Sequence, residues 1–486
     1  MKTVSDREVV ERMRLENPWW ESPHQIDGIR RRLPRREYFD LFFPYVTTTD
    51  PRRALILMGP RRVGKTVILH QSIQKLIDEG TNPTSICYLD LQTPLYSGIS
   101  LERLLHLAQD ALGHDKRRLL YVFFDEVQYF PEWEVHLKNL VDLNADVKFV
   151  ASGSAAAALR LKSNESGAGR FTDFLLPPVT FYEYLKLLGK DEAITVQHDS
   201  DSRSTIVWRA TDELNRHFFD YLNAGGYPEA IFSETVRSDP GRYIRSDIVE
   251  KVLMKDLPSL YGIHDIQELN SLFTMLAYNT GSEVSLDALS KNAGVAKNTI
   301  KRYMEYLESA FLIMLVHRID RSAKRFKRVN YFKVYLTNPC IRSALFAPLG
   351  PDDEAAGSLV ETGVFAQWFH SAHRQLYYAR WDSGAGEVDL VQLSQENLKP
   401  QWAVEVKWSD AHVTDMAKLK SLGKFLGAHP ECTATATTRT ANSVLDLEQR
   451  QVQLIPSAVY CYYVGWNIIG MKRDSLIGVS LLSKEH

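Results

Sequence analysis

The feature that most narrows what this chain can fold into is the octapeptide Gly59-Pro60-Arg61-Arg62-Val63-Gly64-Lys65-Thr66. It follows a short apolar run, Ala54–Met58 (ALILM), and opens a segment with helical spacing, Val67–Asp78. Five consecutive apolar residues suit a strand covered on both faces, as in a parallel sheet. A strand, a loop bounded by two glycines and then a helix fits the pattern GxxxxGK[ST]. Glycine lets the backbone wrap closely, and the helix behind the loop aims free N–H groups and a positive dipole end into it. Gly59, Pro60, Arg61, Arg62, Val63, Gly64, Lys65, Thr66 and Val67 therefore form a candidate phosphate cradle. Lys65 would reach the outer phosphates and the Thr66 hydroxyl would ligate Mg²⁺, so ATP and Mg²⁺ are the cofactors expected.

A second segment completes that chemistry. Leu119–Glu126 (LLYVFFDE) is an apolar strand ending in two acids. Asp125 would hold Mg²⁺ through water and Glu126 would polarise the water that attacks the γ-phosphate. The competing reading is an acidic pair capping the next helix. Val147–Ser152 leads into Ala151-Ser152-Gly153-Ser154, where Ser154 or Ser152 would sense the γ-phosphate, or the serines simply make a turn. Arg170 is a candidate cation for transition-state charge, acting in cis or across the subunits of a homo-oligomer, against the alternative of a surface arginine. With Ser85–Leu89, these strands alternate with helices. The expected fold class is therefore α/β, with a P-loop doubly wound parallel sheet over residues 51–180. Residues 1–50 read as a helical lead-in and 181–265 as a helical lid or linker broken at Gly225-Gly226-Tyr227-Pro228. The lead-in carries Arg30-Arg31-Arg32-Leu33-Pro34-Arg35-Arg36, either a solvated helix end or a cluster facing phosphate or nucleic acid.

The order of motifs GPRRVGKT, FFDEVQ, ASGS, GAGR followed by LLPPVTFYEYL, then YLNAGGYPEAI, resembles a bacterial and archaeal family of AAA+ type ATPases. In that family the ATPase is fused to a C-terminal domain of unknown function, often described as nuclease-like. The resemblance runs from about Arg36 to Ser409 and implies ATP binding and hydrolysis, without implying a substrate. LLPPVTF departs from the family's usual wording, which is closer to PLSF.

Residues 341–486 carry a second constellation. Glu361 lies on a segment with helical spacing, Asp389 in the strand-like Gly386–Leu390, and Glu405 and Lys407 on one side of Trp402–Lys407. Read as helix, strand, strand, strand, helix, strand over 357–440, the set resembles the PD-(D/E)XK nucleases. That resemblance implies Asp389 and Glu405 as metal ligands, with Glu361 and Lys407 completing a catalytic set. Carboxylates on adjacent strands make a hard oxygen site for Mg²⁺, which would activate water, and Lys407 would orient it or stabilise developing charge. An inactive nuclease fold kept for binding, or an unrelated mixed sheet, are the competing readings. The apolar tail, 455–486, reads as strand-like.

Between these parts, residues 266–340 read as a winged helix-turn-helix, with Gly294 at the turn. Lys297, Asn298, Thr299, Lys301 and Arg302 would lie on the exposed face of the second helix, suited to a major groove, and His317–Arg328 adds a basic wing. A packing module is the equal alternative. Net charge is −2, so any DNA contact must be local. Four scattered cysteines and no long apolar run point to a cytoplasmic chain with no membrane span. The combined expectation is an ATP-controlled protein with DNA as partner and a metal-dependent nuclease-like site. The alternative is an ATP-driven switch or scaffold whose C-terminal fold binds DNA or a protein partner.

Overall fold

In the computed structural model, the residues described are 4–22, 33–115, 118–154, 169–198, 204–324, 331–369, 376–381 and 386–482, with backbone alone for 204–205 and 471–482. The chain divides into two compact units, one built chiefly from residues up to Pro177 and one from Pro178 to Gly470.

The first unit opens with α1 (Asp6–Glu16), started by a reciprocal cap in which Ser5 and Glu8 exchange side-chain and backbone bonds. After α2 (Tyr38–Thr47) come β1 (Ala54–Met58), α3 (Lys65–Asp78), β2 (Ile86–Asp90), α4 (Leu101–Leu112), β3 (Leu120–Asp125), α5 (Trp133–Leu143), β4 (Val147–Gly153) and β5 (Phe171–Leu175). The strands form one parallel sheet in the order β2-β3-β4-β1-β5. The apolar runs fill this sheet because helices cover both of its faces, which leaves β3 and β4 buried along their whole length. The lead-in guards the β2 edge. Asn17 takes the Tyr88 N–H at 2.6 Å and gives its amide to the Tyr88 carbonyl at 2.7 Å, as a neighbouring strand would.

The second unit begins with α6 (Phe181–Leu187), a hairpin of β6 (Ile194–His198) and β7 (Ser204–Trp208), and α7 (Thr211–Ala224). The hairpin interrupts the 181–265 stretch read as helical; its β-branched alternation, ITVQH and STIVW, favours strand over helix. After a run of short helical segments between Pro228 and Tyr261 come α8 (Ile266–Tyr278), β8 (Glu283–Ser285), α9 (Leu286–Ala293), α10 (Lys297–Ser309), β9 (Ile313–Ile319) and β10 (Tyr331–Leu336). Gly294, at φ 68°, makes the turn between α9 and α10. Then follow α11 (Ala356–Trp368), β11 (Leu376–Trp381), β12 (Gly386–Leu393), β13 (Pro400–Glu405), α12 (Lys420–Ala428), β14 (Thr433–Thr438), β15 (Ser443–Leu447) and β16 (Arg450–Pro456). Together they form a mixed nine-stranded sheet in the order β15-β16-β14-β13-β12-β11-β9-β10-β8. The strands on either side of residue 340 therefore share one sheet, joined where β9 pairs parallel with β11. From Ser457 the tail is a helix to Leu482, not the strand its composition suggested. Its apolar residues run without the period-2 alternation of a half-buried strand.

Candidate nucleotide site and C-terminal acidic cluster

β4 lies between β1 and β3, so the carboxyl ends of these three strands converge on the loop that begins at Gly59. Gly64 sits at φ 98°, and a Cβ on Gly59 would strike the Leu176 carbonyl oxygen, so neither position tolerates a side chain. Lys65, 5% exposed, folds back to donate to the carbonyls of Gly59 at 3.0 Å and Pro60 at 2.8 Å. The loop is braced from behind by Arg36, which donates to the Val63 carbonyl at 3.1 Å and the Pro177 carbonyl at 2.7 Å. Arg36 was legible only as one of several arginines in a basic cluster; residues 30–32 of that cluster lie outside the described residues.

Asp125 gathers three hydroxyls. Thr66 Oγ1 and Tyr88 OH each donate to Oδ2 at 2.8 Å, and Ser152 Oγ donates to Oδ1. Tyr88 stands beside Asp125 because β2 is its hydrogen-bonded neighbour strand, and the His70 ring lies against it at a tilt, centroids 4.5 Å apart. Glu126 follows in the left-handed region, φ 59°, which turns its carboxylate out of the strand direction. Burial pushes the Glu126 carboxyl above its ordinary range, with Lys65 pulling the other way and Asp125 adding to the rise. Its N–H donates to Ser152 Oγ at 3.2 Å and its carboxylate accepts the Gln128 amide. Of the two candidate sensing serines, Ser152 touches the acids; Ser154 is buried and gives its N–H to Gln128 Oε1 at 3.0 Å.

Arg170 is not brought to this site. It precedes Phe171, which pairs with Ala54, at the amino end of two parallel strands whose carboxyl ends flank the loop. Its guanidinium binds Asp142 at 2.8 Å on the surface. The parallel direction of β5 thus removes it from action in cis.

The second cluster sits on the nine-stranded sheet. Continuing the register of Leu390 with Val404, Asp389 and Glu405 face one another across β12 and β13. Asp389 Oδ2 accepts the Val406 N–H at 2.9 Å, and Lys407 Nζ donates to Glu405 Oε1 at 2.7 Å. Thr437 clamps Lys407 by both its N–H (2.8 Å) and its carbonyl (2.9 Å). Glu361 of α11 joins them through Lys333, accepting from Tyr335 OH at 2.6 Å and Lys333 Nζ at 3.1 Å. Lys333, 5% exposed, also lies 2.7 Å from Glu387 and 3.6 Å from Asp389. Burial alone would lower the Lys333 ammonium, but Glu361, Asp389 and Glu387 drive it well above its ordinary value. Burial, then Asp389, push Glu405 up to about 8.

Lys333 and Glu387 are what the sequence reading left out of the cluster. β9 and β11 separate β10 from β12, roughly 14 Å across a flat sheet, so their contact requires the sheet to curl around α11. The available signal was a lysine inside the otherwise apolar strand YFKVYL, two residues before Tyr335 on the same face. Asp389 and Glu405 fit a hard divalent cation in donor type and placement; Glu361 is committed to Lys333 and Tyr335. Among the described residues no three His, Cys, Asp or Glu converge at metal-binding geometry.

On α10, Lys297, Asn298, Lys301 and Arg302 are exposed and Thr299 is half-buried. Lys297 pairs with Asp287 at 2.6 Å and Lys301 with Glu305 at 3.9 Å, which neutralises part of that face. Residues 325–328 of the basic wing lie outside the described residues. No described helix is long and apolar enough to cross a membrane.

Residues 51–185 match the family model of an AAA domain, and residues 215–353 match a domain of unknown function, DUF8612. The chain is 26% identical over 368 residues to an uncharacterized protein of Haemophilus influenzae, covering 74% of this chain and 84% of that one. It is 24% identical over 393 residues to an uncharacterized protein of Methanocaldococcus jannaschii, covering 78% and 81%. Among solved structures, the Aeropyrum pernix ORC1 protein in complex with DNA aligns with TM-score 0.30 at 13% identity, over 67% of this chain and 95% of that one. The chain thus carries an N-terminal AAA-type domain followed by a segment that matches a domain of unknown function.

Proposed function

We propose that this chain is a Mg²⁺-dependent ATPase whose nucleotide state governs nucleic-acid processing at its C-terminal, nuclease-like site. The observation that carries the ATPase is the Thr66–Asp125 contact of 2.8 Å at the mouth of the loop. It sets the two groups suited to Mg²⁺ side by side, and the match of residues 51–185 to an AAA domain supports the reading. The loop amides and Lys65 bind the phosphates, with Lys65 exchanging two carbonyls for phosphate oxygens. Bound Mg²⁺ would neutralise charge shared by the outer phosphates. Thr66 and Asp125 hold that position, while Ser152 and Tyr88 fix the carboxylate. Glu126, drawn toward a higher pKa, takes the proton of the attacking water. Glu126→Gln should lower kcat by about 10²–10⁴-fold with ATP binding kept, in line with removal of a general base. Unchanged turnover in that variant would remove Glu126 from the mechanism.

The Asp389–Glu405 cross-strand pair with Lys407 supports the nuclease-like reading of the second unit. A different observation favours a switch or scaffold: Lys333 lies over Asp389, and two basic residues of α10 are already paired with acids. Incubating plasmid and linear DNA with the protein, Mg²⁺ or Mn²⁺, with and without ATP, separates the two. Cleavage lost in Asp389→Ala and altered in Lys65→Ala supports ATP-gated processing. Intact ATP hydrolysis with no cleavage under any condition leaves the switch.

A further inference from the structure

The C-terminal cluster holds more acid than base. Glu361, Glu387, Asp389 and Glu405 share the ammonium groups of Lys333 and Lys407, with Arg380 divided between Glu387 at 3.4 Å and Glu283 at 2.9 Å. A separate observation points to a cation position. Glu405 is 7% exposed, and its Oε2 is buried without a hydrogen-bond partner among the described residues, on the carboxylate that faces Asp389. Buried carboxylate oxygens left without a donor are costly, and oxygen donors of this kind suit Mg²⁺ or Mn²⁺.

We propose that Lys333 is a resident cation that competes with a divalent metal for Asp389. The proposal rests on the reading of Asp389 and Glu405 as a cation site. The three contacts of Lys333 are unequal: 2.7 Å to Glu387, 3.1 Å to Glu361 and 3.6 Å to Asp389. Its longest contact is to the one carboxylate it shares with the metal position. The lysine can therefore give up Asp389 while keeping Glu387 and Glu361, and the buried ammonium stays paired. Divalent affinity is then set by how firmly β10 holds Lys333 against β12, and the cation-free cluster stays cohesive because the ammonium binds it together.

The test titrates nucleotide-free full-length protein with Mn²⁺, reading free Mn²⁺ by electron paramagnetic resonance and following thermal melting in parallel. Lys333→Gln should bind Mn²⁺ at least tenfold more tightly than wild type and gain melting temperature from it. Lys333→Arg, which keeps the charge, should behave as wild type. Lys333→Gln with Asp389→Asn should lose the gain, which places it at the cluster rather than the phosphate loop. If Lys333→Gln does not fold, Lys333→Gln with Glu361→Gln removes one charge of each sign and is read the same way. Equal, Asp389-dependent affinity in wild type and Lys333→Gln overturns the competition while the cation site stands. Mn²⁺ binding that Asp389→Asn never changes removes the cation site itself, and the competition with it.

Discussion

Two buried lysines, Lys65 and Lys333, stand at the two candidate sites, equally withdrawn from solvent and held in opposite ways. Lys65 donates to the neutral carbonyls of Gly59 and Pro60. Lys333 sits among the carboxylates of Glu361, Glu387 and Asp389. A carbonyl compensates a buried ammonium only in part, so an arriving phosphate outbids it without leaving a buried charge behind. A carboxylate compensates fully, and removing the ammonium strands the acids. The first arrangement keeps a lysine ready for an anionic ligand; the second makes the lysine part of the structure.

The largest effect that separates them is on ATP turnover. Lys65→Ala should reduce ATP hydrolysis by about 10³-fold or more, as loss of a charge clamp on the transferred phosphoryl does. Lys333→Gln should leave it within about twofold, since its partners lie on the other sheet. A steady-state phosphate-release assay on both variants decides it. If Lys333→Gln also abolished turnover, the two lysines would not be serving separate sites.

Stability reverses the order. Breaking a buried ion pair by removing one partner costs about 3–5 kcal/mol, so Lys333→Gln should lower the unfolding free energy by that amount. Denaturant titration monitored by far-ultraviolet circular dichroism measures it. A loss under about 1 kcal/mol would mean that water already compensates the three acids.

These two lysines were not equally legible. Lys65 belongs to a local pattern in which eight consecutive residues fix the strand, loop and helix and point to phosphate chemistry. The same holds for the run LLYVFFDE, and with it for the parallel sheet of the first unit. Lys333 acquires its role only because β9 pairs with β11, which curls a nine-stranded sheet and brings β10 over β12. Long-range pairing leaves no periodic trace in any one segment. Arg170 shows a related limit: strand direction sets it at the amino end of β5, which takes it away from the loop of its own chain.

A third buried lysine sharpens the rule. Lys148, at the start of β4, donates to the Thr48 and Arg53 carbonyls, as Lys65 does to others. Burial lowers its pKa from 10.5 to about 8, whereas the acids around Lys333 raise that residue. A lysine whose folded pKa is depressed destabilises the fold fully below about pH 8, and the penalty fades as pH rises toward the unfolded value of 10.5. Wild-type stability should therefore gain on the order of 3 kcal/mol from Lys148 between those limits, against other titrations common to both proteins. The difference between wild type and Lys148→Met, followed by denaturant unfolding across that range, should show this rise; a flat difference would mean that the carbonyls stabilise the ammonium fully.

The smallest expected effect tests whether neutral holders also serve a purely structural cation. Arg36 braces the phosphate loop through the Val63 and Pro177 carbonyls and lies over the Tyr38 ring at 5.6 Å. Its two bonds tie the loop at Val63 to the segment that follows β5 at Pro177. Truncation in Arg36→Ala leaves buried carbonyls short of a donor, at a cost of about 1–3 kcal/mol. The loop it frees should then bind ATP more weakly, because the N–H groups that meet the phosphates are no longer held in place. Both bonds come from one nitrogen, Nη1; Arg36→Lys keeps the charge and enough donors but reaches less far, and should recover only part of the loss. Melting temperature and ATP affinity measured on both variants decide it. Full recovery by lysine would show that charge alone braces the loop, while weakened stability with unchanged ATP affinity would show that the loop keeps its shape without Arg36.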